Sequence, residues 1–362
     1  MASDEGAGSS TGEGRARRME RSTPVWEAPA DVVELMGDIS GNDLNGWDEP
    51  DVRPPTLVMW ANPARLAHGR IQERMTEEFV ARADLRSVLR LDDRYEPAPL
   101  GDEPAPPTPT EWVEQLRAFA SSATGHSVEL FGVTETQPEW FFEGRSSRRT
   151  WMVVLGVAMD HETLATAPEP TSAMEVHRQY NRGTAAARAV ADWIRRRGHE
   201  AEGHGGPGAG PVQMVPAAIE AGFGELGKHG SIINRQFGSS FRLAAVLTDA
   251  PLVPSQADSF GVDEFCAGCR VCTDACPPDA IGPDKRLVRG ETKWAVDFDR
   301  CLPYFAISYG CGICIAVCPW SKPGAGPRLA ENMERKQRRR LGAAEGPNLH
   351  SGTRSPDRSD PP

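Results

Sequence analysis

From Ser172 to Arg197 apolar residues recur mostly at three- and four-residue spacing, with Val176, Tyr180, Ala187, Val190, Ala191 and Ile194 on one face. That period predicts a long amphipathic helix, stopped by Gly198. Ser172, with Glu175 three residues later, reads as a capping box at its start. Glu111 to Ala120 reads as a second helix behind a cap at Thr110. Trp151 to Ala158 is an unbroken apolar run of strand length and predicts a buried strand, while Ser127 to Val133 and Phe241 to Leu247 read as two more. A glycine-rich loop, Gly203 to Gly210, follows the long helix. Beyond it comes a short helix that Pro216 can start and Gly222 ends. Helix and strand alternate, which predicts a layered α/β or α+β structure.

Other stretches lack such a pattern. Residues 1 to about 25 are rich in Gly, Ser and charge, and bury too little apolar surface to offset the entropy of ordering, so they read as a disordered tail. Residues 323–362 have the same character and read as a second tail, containing the basic run Arg335-Lys336-Gln337-Arg338-Arg339-Arg340, a solvated face by default with nucleic-acid contact as the alternative. Pro97 to Thr110 is dense in proline and predicts an extended connector between an N-terminal helical piece and the main body.

The chain has 362 residues, 39% of them hydrophobic, enough for two domains or one large domain with an appended module. A formal net charge of -11 argues against a surface built mainly for nucleic acid. No run of about 18 apolar residues occurs, so no membrane span is expected. Arg17-Arg18 is not followed by the apolar region that a twin-arginine export signal needs, so a cytoplasmic location is expected.

All eight cysteines lie between Cys266 and Cys318. In a large chain without a secretory signal that is metal arithmetic rather than a disulfide framework. Cys266, Cys269, Cys272 and Cys276, followed by Pro277, give C-x2-C-x2-C-x3-C-P, the bacterial-ferredoxin spacing. The second set is Cys301, Cys311, Cys314 and Cys318, with Pro319 after it. By the crossed ligation of two-cluster ferredoxins, Cys266, Cys269, Cys272 and Cys318 hold one [4Fe-4S] cluster. Cys276, Cys301, Cys311 and Cys314 hold the other. The nine-residue gap before Cys311 departs from the simplest repeat, so Cys301 is expected from a separate turn. Structural zinc also uses four thiolates, but paired C-x2-C knuckles need neither a third cysteine two residues on nor the proline.

Ala221 to Asp249 (AGFGELGKHGSIINRQFGSSFRLAAVLTD), followed by CAGCRVCTDACPPDAI and YGCGICIAVCPW, resembles the corrinoid iron-sulfur reductases. These are the reductive dehalogenases and, less closely, the epoxyqueuosine reductases. The resemblance covers about Val153 to Lys322 and is weak before about residue 150. It implies an α+β protein: a nitroreductase-like α/β core that binds cobalamin base-off, spanning residues 26–255, and a double [4Fe-4S] module at residues 256–322. No D-x-H-x-x-G motif is present for a histidine to ligate cobalt, since Asp160 and His161 are adjacent.

In dehalogenases of this kind a tyrosine donates a proton to the substrate carbon and a nearby cation stabilises its phenolate. Tyr180 and Arg242 match that pair, and the alternative for Tyr180 is a core position on the helix face. Lys228, His229 and Gly230 sit in a glycine-rich connector where backbone donors and a cation can meet the corrinoid, against the alternative of a solvated turn. The epoxyqueuosine reductases carry a catalytic aspartate before the AG-x-G turn, where this chain has Gly206 to Gly210 and no carboxylate. The expected function is thus reductive dehalogenation of a small organohalide, with electrons from a ferredoxin or flavodoxin. Epoxyqueuosine reduction and corrinoid-free electron transfer are the alternatives.

Overall fold

The computed structural model describes residues 24–89, 95–122, 126–206 and 210–344. The expected tail over 1–25 lies almost wholly outside them, as do the last residues of the C-terminal one. The helices are α1 (Ala30–Met36), α2 (Gly41–Asn45), α3 (Gly69–Ala81), α4 (Ala83–Val88), α5 (Pro109–Ser122), α6 (His161–Leu164) and α7 (Pro170–Arg196). They continue with α8 (Met214–Glu220), α9 (Val262–Gly268), α10 (Val271–Ala275), α11 (Phe298–Ile307), α12 (Ile313–Ala316) and α13 (Ala325–Ala344). Among the described residues no helix is long and apolar enough to cross a membrane.

The central sheet joins β1 (Leu130–Glu135), β2 (Trp151–Ala158), β3 (Ala201–Gly205) and β6 (Phe241–Thr248) in the order β1-β2-β6-β3, every pair antiparallel. Two short hairpins pair β4 (Glu225–Leu226) with β5 (Ile232–Ile233), and β7 (Arg286–Val288) with β8 (Glu291–Lys293). β2 is apolar throughout because the sheet is covered twice. Val153, Leu155 and Val157 face the α5 and α7 side, against Trp112, Leu116, Val190 and Ile194. Met152 and Val154 face α8, against Met214, Ala217 and Ala218. With successive strand side chains on opposite faces, one strand thus serves two cores.

Several element boundaries differ from the sequence expectation. α7 begins at Pro170, whose fixed φ suits the first helical position, so Ser172 is already inside the helix. Glu175, freed from capping, accepts from the Asp160 amide at 2.8 Å and the Gln179 amide at 2.9 Å. At α5 the capping box is Thr108 with Glu111 rather than Thr110. The first strand lies further on, at Leu130–Glu135. The first residues of the glycine-rich loop form β3, because a Cβ at Gly203 would fall 2.6 Å from the Ala187 carbonyl oxygen, so only glycine lets α7 lie this close. Residues 325–344, expected as tail, form α13, whose Ala330 and Met333 are buried.

The N-terminal helices form a cap over the cysteine-bearing segment. Val32, Met36, Ile71, Met75 and Phe79 share a core with Leu302 and Ala306 of α11. Asn42 fastens the contact, donating from Nδ2 to Asp297 at 2.9 Å and accepting from the Phe298 amide at 2.7 Å.

Candidate active site

None of the eight cysteines is in a disulfide. Tight turns and short helices bring their thiols together in two quartets. Cys266, Cys269, Cys272 and Cys318 line one small cavity. Cys276, Cys301, Cys311 and Cys314 all line a second, much larger one. Cys318 therefore sits with the first motif and Cys276 with the second. Cys301 arrives on α11 rather than on a turn, and Cys311 is held at φ 47° between Gly310 and Gly312. Among the described residues no three His, Cys, Asp or Glu side chains converge tightly enough for a single metal ion.

The donor chemistry fits a charged inorganic group. Burial, reinforced by neighbouring thiols, pushes Cys266, Cys272 and Cys301 up to about 12 and Cys318 to about 11. Such thiols stay protonated unless a cationic centre displaces the protons. Main-chain amides already point at sulfur: Ala280 donates to Cys276 Sγ at 3.3 Å, and Trp320 and Ser321 amides serve Cys318.

Lys228 is placed differently from the expectation. Its side chain turns away from the large cavity and lies against the first quartet, with Nζ donating to the Cys269 carbonyl at 2.8 Å and standing 4.8 Å over the Trp294 ring. It is 2% exposed and meets no carboxylate among the described residues. A buried ammonium with only a carbonyl and a ring for company needs a further negative charge, which a thiolate-held cluster supplies.

His229 lies between the two cavities and lines both. Its Nδ1 accepts from the Ser231 amide at 3.2 Å. Ser239 Oγ gives its proton to the Ile232 carbonyl at 2.7 Å, so His229 Nε2 carries hydrogen and donates to that hydroxyl at 3.2 Å. Burial depresses this imidazole to about 4, so it is neutral. Gly230 lines the large cavity at φ +77°, in a turn that brings its own N–H to the Gly227 carbonyl.

The large cavity holds about 650 Å³ and runs from the second quartet to Tyr180 and Arg242. α7 supplies Tyr180 and β6 supplies Arg242, whose guanidinium stands 5.4 Å from the phenol ring centroid. Among the described residues the buried Arg242 Nε has no hydrogen-bond partner. A Cβ at Gly206 would come within 2.3 Å of the Tyr180 ring, so that glycine fixes how the ring lies. A second cavity of about 500 Å³ shares Tyr180 and Arg242 in its wall.

One turn before Tyr180, His177 also lines the large cavity, with its ring edge-on to Phe79 at 5.0 Å. Desolvation and then the Arg242 charge push it down to about 4. Sequence reasoning missed His177, although its three-residue spacing from Tyr180 puts both on one helix face.

Residues 265–322 match the family model of the 4Fe-4S dicluster domain. The tetrachloroethene reductive dehalogenase of Desulfitobacterium hafniense is 29% identical over 297 residues, which is 77% of this chain and 53% of that protein. The epoxyqueuosine reductase of Leadbetterella byssophila is 35% identical over 128 residues, 31% of this chain and 38% of that protein. A solved reductive dehalogenase described for B12-dependent dehalogenation superposes with a TM-score of 0.66 at 23% identity, over 86% of this chain and 48% of that one. The chain spans about half the length of the curated dehalogenase it matches. Along most of its own length this chain is similar to the reductive dehalogenases, whose fold it shares, and over a shorter span to the epoxyqueuosine reductases.

Proposed function

We propose that this protein is an iron-sulfur reductase of the reductive dehalogenase type. In this reading two [4Fe-4S] clusters deliver electrons to a corrinoid in the large cavity, over a nitroreductase-like core. One observation carries it: the Cys276, Cys301, Cys311 and Cys314 quartet and the Tyr180–Arg242 pair line the same cavity. The corrinoid, when bound, supplies a low-potential metal centre able to reduce a carbon-halogen bond.

The protein's own groups do the rest. The quartets hold the clusters, with Lys228 balancing charge at the first and His229 bracing the wall between it and the cavity. Gly230 lets the main chain approach the cofactor. In the net reaction an organohalide takes up two electrons and one proton, and halide leaves. Tyr180 Oη is placed to give that proton to the substrate carbon, a better-oriented source than bulk water. Arg242, with an unsatisfied Nε, stabilises the phenolate until solvent reprotonates it. The mainly apolar lining limits the water that can compete for the reduced centre.

Anaerobic reconstitution with iron, sulfide and cobalamin, followed by gel filtration, tests the reading. About eight irons per chain and bound cobalt are expected. Tyr180→Phe keeps the ring and its packing, so metal content should hold while turnover of an aryl or alkyl halide falls about 100-fold or more. Eight irons without cobalt would favour a corrinoid-free electron carrier. Turnover of epoxyqueuosine-containing RNA and not of halides would favour the other reductase.

A further inference from the structure

The mechanism uses neither α13 nor its basic run. This helix is amphipathic in an unusual sense. Its inner residues Ala330 and Met333 pack in one core with Cys266, Cys318 and Trp320, directly behind the first quartet. Its outer face is strongly basic: Arg335, Lys336, Arg338, Arg339 and Arg340 are all exposed. Arg335, Lys336, Arg339 and Arg340 surround a single shallow depression.

Among the described residues, local carboxylates do not neutralise this face. Glu264 takes both Lys336 and Arg340 at 2.7 Å, one acid for two bases. Glu334 is already engaged by Arg235 at 2.6 Å and reaches Arg338 only at 3.9 Å. Glu264 also fixes the location of the patch. It lies on α9 two residues before Cys266, and one helical turn later Ala267 and Gly268 are exposed. A Cβ at Gly268 would meet nothing. The basic face therefore borders an exposed stretch, Ala267 and Gly268, that runs directly into Cys269 of the first quartet.

We propose that this face is the docking surface for a small acidic one-electron carrier protein, which reduces the cluster of the first quartet. The proposal rests on that quartet holding a cluster. It does not depend on the corrinoid or the halide. The chain carries a net charge of -11, so an acidic carrier is repelled by most of the surface and attracted here. Such a field orients the encounter as well as accelerating it. Electron transfer falls steeply with distance, so docking beside Gly268 is productive where docking elsewhere is not.

The test follows cluster bleaching in a stopped-flow instrument, using reconstituted full-length protein and two reductants: reduced flavodoxin and reduced methyl viologen. In the doubly reversed variant Arg335→Glu with Arg339→Glu, the flavodoxin rate should fall about tenfold or more and lose most of its salt dependence. The methyl viologen rate should not fall, which excludes damage to the cluster. An unchanged flavodoxin rate at full iron content would overturn the docking surface alone. Missing iron would remove the acceptor itself, and the cluster reading would fall with it. If wild-type protein binds a transfer RNA stem-loop through these arginines while flavodoxin rates stay equal, the face serves nucleic acid and the proposal is wrong.

Discussion

The two thiol quartets have the same ligands in different surroundings. In the first, Cys266, Cys272 and Cys318 are buried, Cys269 alone keeps accessible surface, and the ammonium of Lys228 lies against the set. The second borders the large cavity: all four of its cysteines line it, and Cys301, Cys311 and Cys314 keep accessible surface. Where Lys228 favours the thiolate form of Cys266 and Cys272, the carboxylate of Asp297 opposes it at Cys301. A cation stabilises the more negative, reduced state of a cluster, and an anion does the opposite. Under the proposed function, the first quartet is then the easier to reduce and the second is the stronger reductant. That is the ordering expected when electrons enter beside the surface and leave into the cavity.

Removing a ligand from each set should break the comparison most severely. Cys301→Ser and Cys318→Ser should each cut iron from about eight to about four per chain, leaving different clusters. With Cys301→Ser the remaining cluster should still be reduced by a carrier protein, while turnover is lost. With Cys318→Ser the cavity-facing cluster should remain, although Cys318 is only four residues from Cys314 in sequence. Electron paramagnetic resonance of the half-loaded proteins distinguishes the two. Identical spectra from both variants would contradict the crossed grouping.

A smaller effect is expected at Lys228. Lys228→Met retains the buried stem and removes the charge, so the reduction potential of the first cluster should fall by about 50 mV, near a tenfold change for one electron. The second cluster should hardly move. Redox titration of both clusters in one sample checks this, and equal shifts at both would show that the charge is not local to the first quartet.

What the sequence reveals follows from which residues act through their neighbours in the chain. Cysteine spacing is legible because the loops that hold a cluster are short, so the chemistry is written in consecutive residues. β2 is legible because both its faces are covered and no polar position interrupts it. β3 is hidden for the opposite reason. Gly203 and Gly205 have no side chains to display a pattern, and they form a strand because α7 lies against them. Lys228 shows the limit at a site: its neighbours mark a turn, yet only the fold decides that the side chain runs to Cys269 instead of the cavity. The N-terminal cap is less legible still, since Asn42 finds its partners about 255 positions away at Asp297 and Phe298. Tyr180 and Arg242 stand out in the sequence by resemblance alone. Their meeting across α7 and β6 is a tertiary fact that helical periodicity cannot contain.

The smallest expected effect comes from the histidine in the wall between the two quartets. His229 is held neutral by burial, at about 4 against an ordinary 6.5. In the unfolded chain it takes a proton near 6.5, so below that pH the unfolded state binds more protons than the folded one. Stability from this residue is therefore complete above about 6.5 and is lost as pH falls toward 4, at about 1.4 kcal/mol per pH unit. His177 is depressed to the same extent and adds a parallel slope from the cavity wall. His229→Gln cannot titrate and keeps a donor for Ser239, but it gives up the buried ring and its Nδ1 contact with the Ser231 amide, so it should be less stable than wild type at pH 7.5. Its urea midpoint should also decline less between pH 6.5 and 5.5. Restricting the comparison to apo-protein keeps acid loss of the clusters out of the measurement. If the two proteins decline in parallel, His229 is already protonated or exposed in the folded state, and the sealed wall between the first quartet and the cavity is wrong.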